Sequence, residues 1–288
     1  TTYISERNLR IDAANIFERF LSKSEIFSYN NRNLTISFKH RTFAEYFSAK
    51  KMLRENSPIQ HSRVFDPYWC TVYFFLIGLK RDCPELLTEI FGVTELPPQQ
   101  EIIKVYQTGQ YLLAGYLTPY KTIKAGLQDS FSLVARLLEE GLNGNNPLSA
   151  LPPVQLIYVL AHGMSHTYGY AYFEDAVMES IMDKIENPID DREMYELFFL
   201  TTITAFLGKN NAFDGLIKQH GKHLPELLKL GISHFNDDFS LKSDVTSKYV
   251  KKLHKGLQSR GNFNELIASL YDVSIADTMA KSKAIAAK

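Results

Sequence analysis

The sequence has little cysteine and no net charge, and both absences exclude classes of protein. Its 288 residues include only two cysteines, Cys70 and Cys83, which lack the spacing of a metal site. An extracellular chain of this size would more often carry disulfides, so the two thiols favour a reducing, cytoplasmic compartment. Lysine plus arginine equals aspartate plus glutamate at 32 each, so no global field attracts nucleic acid or an anionic membrane.

Long apolar runs are also missing. None approaches the roughly 18 residues needed to span a bilayer. The best candidate, residues 68–79, is short and contains Trp69 and Tyr73, so we expect a buried helix there. The first residues show neither an initiator methionine nor a basic-then-apolar signal pattern. We therefore expect a cytoplasmic protein, and a fragment of a longer one.

The phosphate-binding motif Gly-x-x-x-x-Gly-Lys-Ser/Thr occurs nowhere in the chain. The glycines at 141–144 and 208 lie in loop-like segments that lack its spacing. We therefore predict that this chain is not an enzyme, has no catalytic residues, and binds no nucleotide cofactor tightly by itself.

A histidine pair, His162 and His166, has the i, i+4 spacing of a metal site on a helix. No acidic residue lies within this segment and Gly163 weakens the helix, so we expect structural histidines and no metal. A helical hydrolase that uses Ser165 with one of these histidines is an alternative, although no acidic partner or strand context for it is visible.

The pattern of apolar residues predicts a mainly α-helical chain with one N-terminal β-hairpin. Residues 11–25 have helical spacing, and Leu34, Ile36 and Phe38 alternate with polar residues as in a half-buried strand. Helix, short strand, turn, strand and helix together predict a winged-helix remnant over residues 1–56. Residues 57–288 are expected to form an α-solenoid-like array of antiparallel helix pairs. The predicted helices of this array cover residues 67–80, 83–91, 98–114, 119–140, 152–163, 169–187, 190–208, 211–219, 222–235, 240–259 and 262–286.

The second strand runs directly into an amphipathic helix through His40 and Arg41. We call these two residues and the start of the helix the junction. Thr42 and Glu45 have the spacing of a capping box, which predicts a helix that begins at Phe43. His40 would then lie just ahead of a helix N-terminus, where unpaired N–H groups and the helix dipole favour an anion. A Glu45 carboxylate folded back onto the cap would compete with that anion.

Residues 38–49 resemble the end of the winged-helix domain in NACHT-type STAND NTPases, which are signalling ATPases. The family pattern is, loosely, Phe-x-His-x-(Ser/Thr)-(Phe/Leu)-Gln-Glu-(Phe/Tyr)-x-Ala-Ala. This sequence departs from it at Ala44, where glutamine is usual, and at Ser48, where alanine is usual. It keeps Phe38, His40, Thr42, Phe43, Glu45, Tyr46 and the small residue Ala49.

The resemblance implies that His40 contacts the β-phosphate of ADP in a closed resting state. It also implies an NTPase domain upstream of Thr1, with ATP or ADP and Mg as its cofactors, and oligomerisation of the full-length protein on activation. Residues 57–288 would be a helical sensor for a ligand, which we expect to be a protein, in a role such as antiphage defence. A stand-alone helical-repeat adaptor with no nucleotide role remains the alternative.

One late helix concentrates positive charge. Lys248, Lys251, Lys252 and Lys255 share a face by their helical spacing. This face is either solvated or binds a partner or nucleic acid, and the sequence leaves both interpretations open. An acidic run through residues 174–196 has the same two interpretations. The last residues, 276–288, have helix propensity but little apolar face, so we expect a frayed helix.

Overall fold

The computed structural model describes residues 12–23, 25–30, 32–33, 35–186, 190–209, 211–238, 243–259 and 263–286. Within these ranges the chain forms a two-stranded antiparallel hairpin and fifteen α-helices. The predicted fold class, mainly helical with an N-terminal hairpin followed by a helical array, is confirmed. The strands are β1 (Phe27–Asn30) and β2 (Thr35–Phe38), and the helices are α1 (Ala13–Lys23), α2 (Arg41–Glu55), α3 (His61–Val64), α4 (Cys70–Lys80), α5 (Pro84–Phe91), α6 (Pro98–Ala114), α7 (Tyr120–Leu142), α8 (Pro153–Tyr168), α9 (Glu174–Ile185), α10 (Asp191–Phe206), α11 (Asn211–His220), α12 (Glu226–Asp238), α13 (Asp244–Gln258), α14 (Phe263–Tyr271) and α15 (Ile275–Ala286). Two 3-10 turns, Pro147–Ala150 and Ala171–Phe173, precede α8 and α9.

A ladder of aromatic rings holds α1, the hairpin and α2 together. Phe27 and Phe38 are register partners across the hairpin, with ring centroids 5.0 Å apart. Phe20 of α1 lies 5.3 Å from Phe27, and Phe47 of α2 lies 5.7 Å from Phe38. Aromatic pairs at these centroid distances stabilise a small element beyond their buried area. The ladder therefore joins β2 to the start of α2 through packing as well as through the chain.

The apolar face of α1 is present as predicted, but the described residues do not cover it. Ile16, Phe17 and Phe20 are 44%, 54% and 46% exposed. Contiguous apolar exposure of this kind usually marks a contact surface.

Helix α2 packs along α4, so the junction is attached to the array. Ala49 is fully buried in this contact, and the Tyr46 ring meets Phe75 edge-on at 5.7 Å. Asn56 ends α2 in the left-handed conformation, with φ of 47°. The predicted domain boundary after residue 56 stays a prediction.

Helix α4 confirms the buried helix expected from the most apolar stretch, since Val72, Tyr73, Leu76 and Ile77 are buried. Cys83, just before α5, is buried as well, whereas Cys70 is half-buried. Among the described residues, no helix combines the length and the apolar content that a membrane crossing requires.

Helix α10 lies at the centre of the array. Residues 194–205 are all buried, and the helix contacts α7, α8, α9 and α11. A helix that is buried on every side must satisfy its polar side chains internally. Thr201, Thr202 and Thr204 do so by donating to backbone carbonyls three or four residues earlier in the helix.

Helices α6 and α8 approach closely because each places a glycine under a large side chain of the other. A Cβ at Gly109 would collide with Thr167, and a Cβ at Gly163 would collide with the Tyr106 ring. Glycine permits this reciprocal contact because it has no side chain. The two helices are interlocked at this pair of positions.

The end of the chain corrects two predictions. Residues 262–286 were expected to form one helix, but Ser274 caps a new helix by accepting from the Asp277 amide at 3.1 Å. The expectation of a frayed helix is wrong for the first half of α15. Ile275 is buried there and its amide donates to the Leu151 carbonyl at 3.2 Å, while Met279 packs against the core.

Buried tyrosines predict a loss of stability at alkaline pH. Burial raises the pKa of Tyr106 to about 12 and also raises the pKa values of Tyr111 and Tyr168. Unfolded tyrosines lose their proton near pH 10, so above this pH the folded state binds more protons and the free energy of unfolding falls. Urea unfolding should show this loss as the pH rises from about 10 towards 12, by about 1.4 kcal/mol for each unit of pKa difference. Tyr106→Phe should reduce the slope and Tyr116→Phe, at an exposed position, should not; equal slopes would contradict the assignment.

Candidate functional site

The junction begins a helix two residues earlier than the capping box predicted. His40, extended at φ −125° and ψ 137°, is the N-cap residue of α2, and its carbonyl accepts from the Phe43 amide at 3.1 Å. Thr42 therefore lies inside the first turn and cannot cap it. Glu45 is nearly buried and accepts from Arg41 Nε at 2.7 Å. The predicted capping box is wrong because the contact with α4 buries Glu45 beside Arg41.

This correction changes the electrostatics of the junction. Glu45 does not fold back onto the start of α2, and the first turn of the helix contains no acidic residue. The predicted competition between this carboxylate and an anion is therefore absent. The dipole and the first N–H groups of α2 favour negative charge beside His40.

Arg41 fixes the junction to the segment that precedes α4. Its Nη2 donates to the Tyr68 carbonyl at 2.9 Å, and its guanidinium carbon lies 5.1 Å from the centre of the Tyr68 ring. Together with the Glu45 pair, these contacts engage Nε and Nη2 of the guanidinium. Arg41 is thus a positioning residue that sets where α2 begins relative to the array.

His40 itself is exposed, and its ring lies 6.1 Å from that of Phe43. The described residues give its imidazole no hydrogen bond. An exposed imidazole ahead of a helix N-terminus can donate to a phosphate oxygen. The contact between His40 and ADP stays a prediction.

The structure divides the four lysines of the predicted basic face. All four lie on α13 and are exposed, but only Lys252 lines a cleft between α11, α12 and α13. Lys248, Lys251 and Lys255 lie outside that cleft. Sequence reasoning missed Lys218, Lys222 and Lys229, which line the same cleft from other elements and form no run in the sequence.

The histidine pair packs among aromatic rings. His162 and His166 are exposed, with ring centroids 4.2 Å apart, and His166 lies 5.5 Å from Phe206. Ser165 is fully buried, whereas both imidazoles are exposed. Across the described ranges, no group of three or more His, Cys, Asp or Glu side chains could hold a metal ion.

Several carboxylates of the acidic run are neutralised inside the array. Lys124 of α7 lies 2.9 Å from Glu179 and 3.2 Å from Asp183. Lys184 lies 3.0 Å from Glu196, which is nearly buried. These pairs tie α9 to α7 and to α10, so this run serves helix packing at these positions.

Most of the helical array matches the model of a known protein family. Residues 110–279, from the last residues of α6 into α15, match NACHT C-terminal Helical domain 1. No curated protein and no solved structure matches the chain. The match covers more than half of the sequence and includes every helix from α7 to α14. The chain therefore belongs to the NACHT C-terminal Helical domain 1 family.

Proposed function

We propose that this chain is the C-terminal regulatory part of a NACHT-type STAND NTPase that acts in the cytoplasm. In this proposal, α1, the hairpin and α2 are the end of a winged-helix domain beside the nucleotide-binding domain, and α3–α15 receive the activating ligand. One observation carries it: α2 presents His40 at its start and is packed onto an array that belongs to a NACHT-associated family.

The exposed face of α1 supports the winged-helix assignment. Ile16, Phe17 and Phe20 are 44%, 54% and 46% exposed, although the Phe20 ring also lies 5.3 Å from that of Phe27 in the hairpin. We assign this face to the remainder of the winged-helix domain, which would bury it. Burying these three side chains would stabilise the packing of α1 against the rest of that domain by several kcal/mol, at roughly 25 cal/mol per Å² of apolar surface.

The exposed imidazole and the open start of α2 fit a phosphate group held by the neighbouring domain. In this arrangement the chain's own residues perform two tasks. His40 donates a hydrogen bond to a phosphate oxygen of ADP, and Arg41 with Glu45 holds the start of α2 in place. Ligand binding to the array then displaces α2 through α4, which withdraws His40 and permits activation and oligomerisation.

We propose that the ligand is a protein. Exposed aromatic and apolar side chains stand at the turn between α6 and α7, where Tyr116, Leu117 and Tyr120 are 50%, 57% and 44% exposed. Aromatic side chains of this kind are enriched in the energetic centres of protein interfaces. The balanced overall charge gives no comparable support to nucleic acid.

His40→Ala in the full-length protein is expected to weaken ADP retention by about tenfold, since a hydrogen bond to a charged group contributes about 1.5–3 kcal/mol. Resting, ligand-independent signalling should rise in parallel. Both effects can be measured, the first as ADP released from the purified protein on denaturation and the second as activity without ligand.

His61→Ala is the matched control, because His61 is exposed and pairs with Glu89 at 3.0 Å, away from the junction. Unchanged ADP content and unchanged resting activity in the His40 variant would sink the proposal. A reading frame without an upstream Gly-x-x-x-x-Gly-Lys-Ser/Thr motif would favour the helical-repeat adaptor instead.

A further inference from the structure

A cleft of about 690 Å³ opens between α11, the turn that follows it, α12 and α13. Its volume lies within the range of about 300–1,000 Å³ that is usual for small-molecule sites. The lining residues are Ile217, Lys218, Gln219, Gly221, Lys222, His223, Glu226, Lys229, Tyr249, Lys252, Leu253, Gly256 and Leu257.

The rim of this cleft, which we call the basic cleft, carries an excess of positive charge. Four lysines but only one described carboxylate, that of Glu226, line the cleft. This carboxylate lies 3.1 Å from Lys229. Lys218, Lys222 and Lys252 form no ion pair with any described residue. Like charges that line one concave site repel one another, and a bound anion reduces that repulsion.

The floor of the cleft is apolar. Ile217 and Leu257 are 7% and 6% exposed, and Leu253 is half-buried between them and the rim. A basic rim over an apolar floor fits a molecule with an anionic end and a less polar body.

Hydrogen bonds fix the positions of the helices that form the cleft. The Tyr249 hydroxyl donates to the Gly221 carbonyl at 2.5 Å, which fixes α13 to the turn after α11. Burial raises the pKa of Tyr249 to about 12, so the donor proton is retained at neutral pH. At the start of α13, Ser243 Oγ lies 2.5 Å from an Asp214 carboxylate oxygen and caps the Thr246 amide. The helices are thus positioned without a ligand.

We propose that the basic cleft binds a small phosphorylated molecule, with its phosphate at Lys218, Lys222 and Lys252 and its body on the apolar floor. Lysine binds phosphate as a point charge, whereas planar carboxylates are matched best by arginine, and no described lining residue is an arginine. The site is independent of the His40 contact because it lies on α11–α13.

The concave form of the cleft also argues against a nucleic-acid surface. Nucleic-acid binding usually needs a basic stripe along one face. Here Lys252 turns into the cleft, whereas Lys251 and Lys255 of the same helix lie outside it. Charge is therefore concentrated at a site of small-molecule size.

Isothermal titration calorimetry on this chain tests the proposal directly, because the sequence has no Gly-x-x-x-x-Gly-Lys-Ser/Thr motif that would bind the probes. The probes are AMP, ADP and glucose 6-phosphate. Pyrophosphate serves as a control that has phosphate groups but no less polar part. Adenosine serves as a control that has the nucleoside but no phosphate. We expect saturable binding of at least one of the first three, tighter than that of pyrophosphate, and none of adenosine. Added salt should weaken the binding of the phosphorylated probes.

The variant Lys222→Gln with Lys252→Gln should weaken binding by about tenfold or more. The matched control, Lys251→Gln with Lys255→Gln, removes the same charge from α13 outside the cleft and should leave binding unchanged. Both pairs are exposed, so the urea midpoint of each variant should equal that of the parent chain.

Three results would overturn the proposal: no binding of any phosphorylated probe at millimolar concentration, equal binding of adenosine, or equal losses in the two lysine variants. Binding of an acidic peptide in place of every phosphorylated probe would overturn it as well. None of these results bears on ADP retention by His40, which is measured in the full-length protein.

Discussion

Phe198→Ala is expected to lower the free energy of unfolding by about 3–5 kcal/mol, the usual cost of truncating a fully buried phenylalanine. Phe198 lies in the most buried part of α10 and is 0% exposed. Its ring is 6.3 Å from that of Phe213 in α11, and it lies 3.6 Å from the position of a Cβ at Gly231 in α12. Truncation would open a cavity where three helices meet, and the surrounding helices could close it only in part.

Phe206→Ala is the matched control, because Phe206 ends the same helix and is 40% exposed. Its truncation should cost less than about 1.5 kcal/mol, since much less apolar area is lost from burial. Urea unfolding followed by circular dichroism measures both variants. Equal losses at the two positions would show that α10 is not the centre of the core.

Lys104→Ala is expected to lower the free energy of unfolding by about 3 kcal/mol, a large effect for the loss of a lysine side chain. The side chain is 7% exposed, and its Nζ donates to the Phe91 carbonyl at 2.7 Å and to the Val93 carbonyl at 3.2 Å. Asp129 lies 3.1 Å away on the next helix. Phe91 ends α5 and Val93 lies just beyond it, so Lys104 satisfies one carbonyl at the helix end and one in the segment that follows. Truncation leaves buried acceptors without a donor, and each costs about 1–3 kcal/mol.

Two further variants separate the causes of this loss. Lys104→Met keeps most of the buried hydrocarbon and should recover only the part of the loss that is due to packing. Lys121→Ala removes an exposed lysine from the start of α7 and should change stability by less than about 0.5 kcal/mol. A loss for Lys104→Ala no greater than that of the control would mean that water replaces Nζ at both carbonyls.

Local patterns were sufficient for most of the fold. Period-2 alternation located β2, and apolar spacing with proline and glycine punctuation located the helices of the array. The burial of residues 194–205 in α10 was harder to recognise, because Glu196 and three threonines interrupt the apolar sequence of this helix. Its central position depends on contacts with four other helices, and no local pattern specifies these.

The junction shows why a correct motif can give a wrong structure. Thr42 and Glu45 have the spacing of a capping box, but Glu45 gains more from Arg41 in the nearly buried contact with α4. Tertiary contacts decided which of two local hydrogen-bond patterns formed. The lysines of the basic cleft were missed for a related reason, since they come from separate elements that meet only in the folded chain.

The reciprocal glycine contact of α6 and α8 has a mechanical consequence. Sliding one helix along the other by part of a turn would drive Tyr106 against the backbone at Gly163, and Thr167 against that at Gly109. Shear, which is a common motion of packed helices, is therefore blocked at this contact. Helix α6 also packs on α4, which holds α2. A displacement of α8 would therefore carry α6 with it, and through α6 and α4 it would reach α2, which begins beside His40.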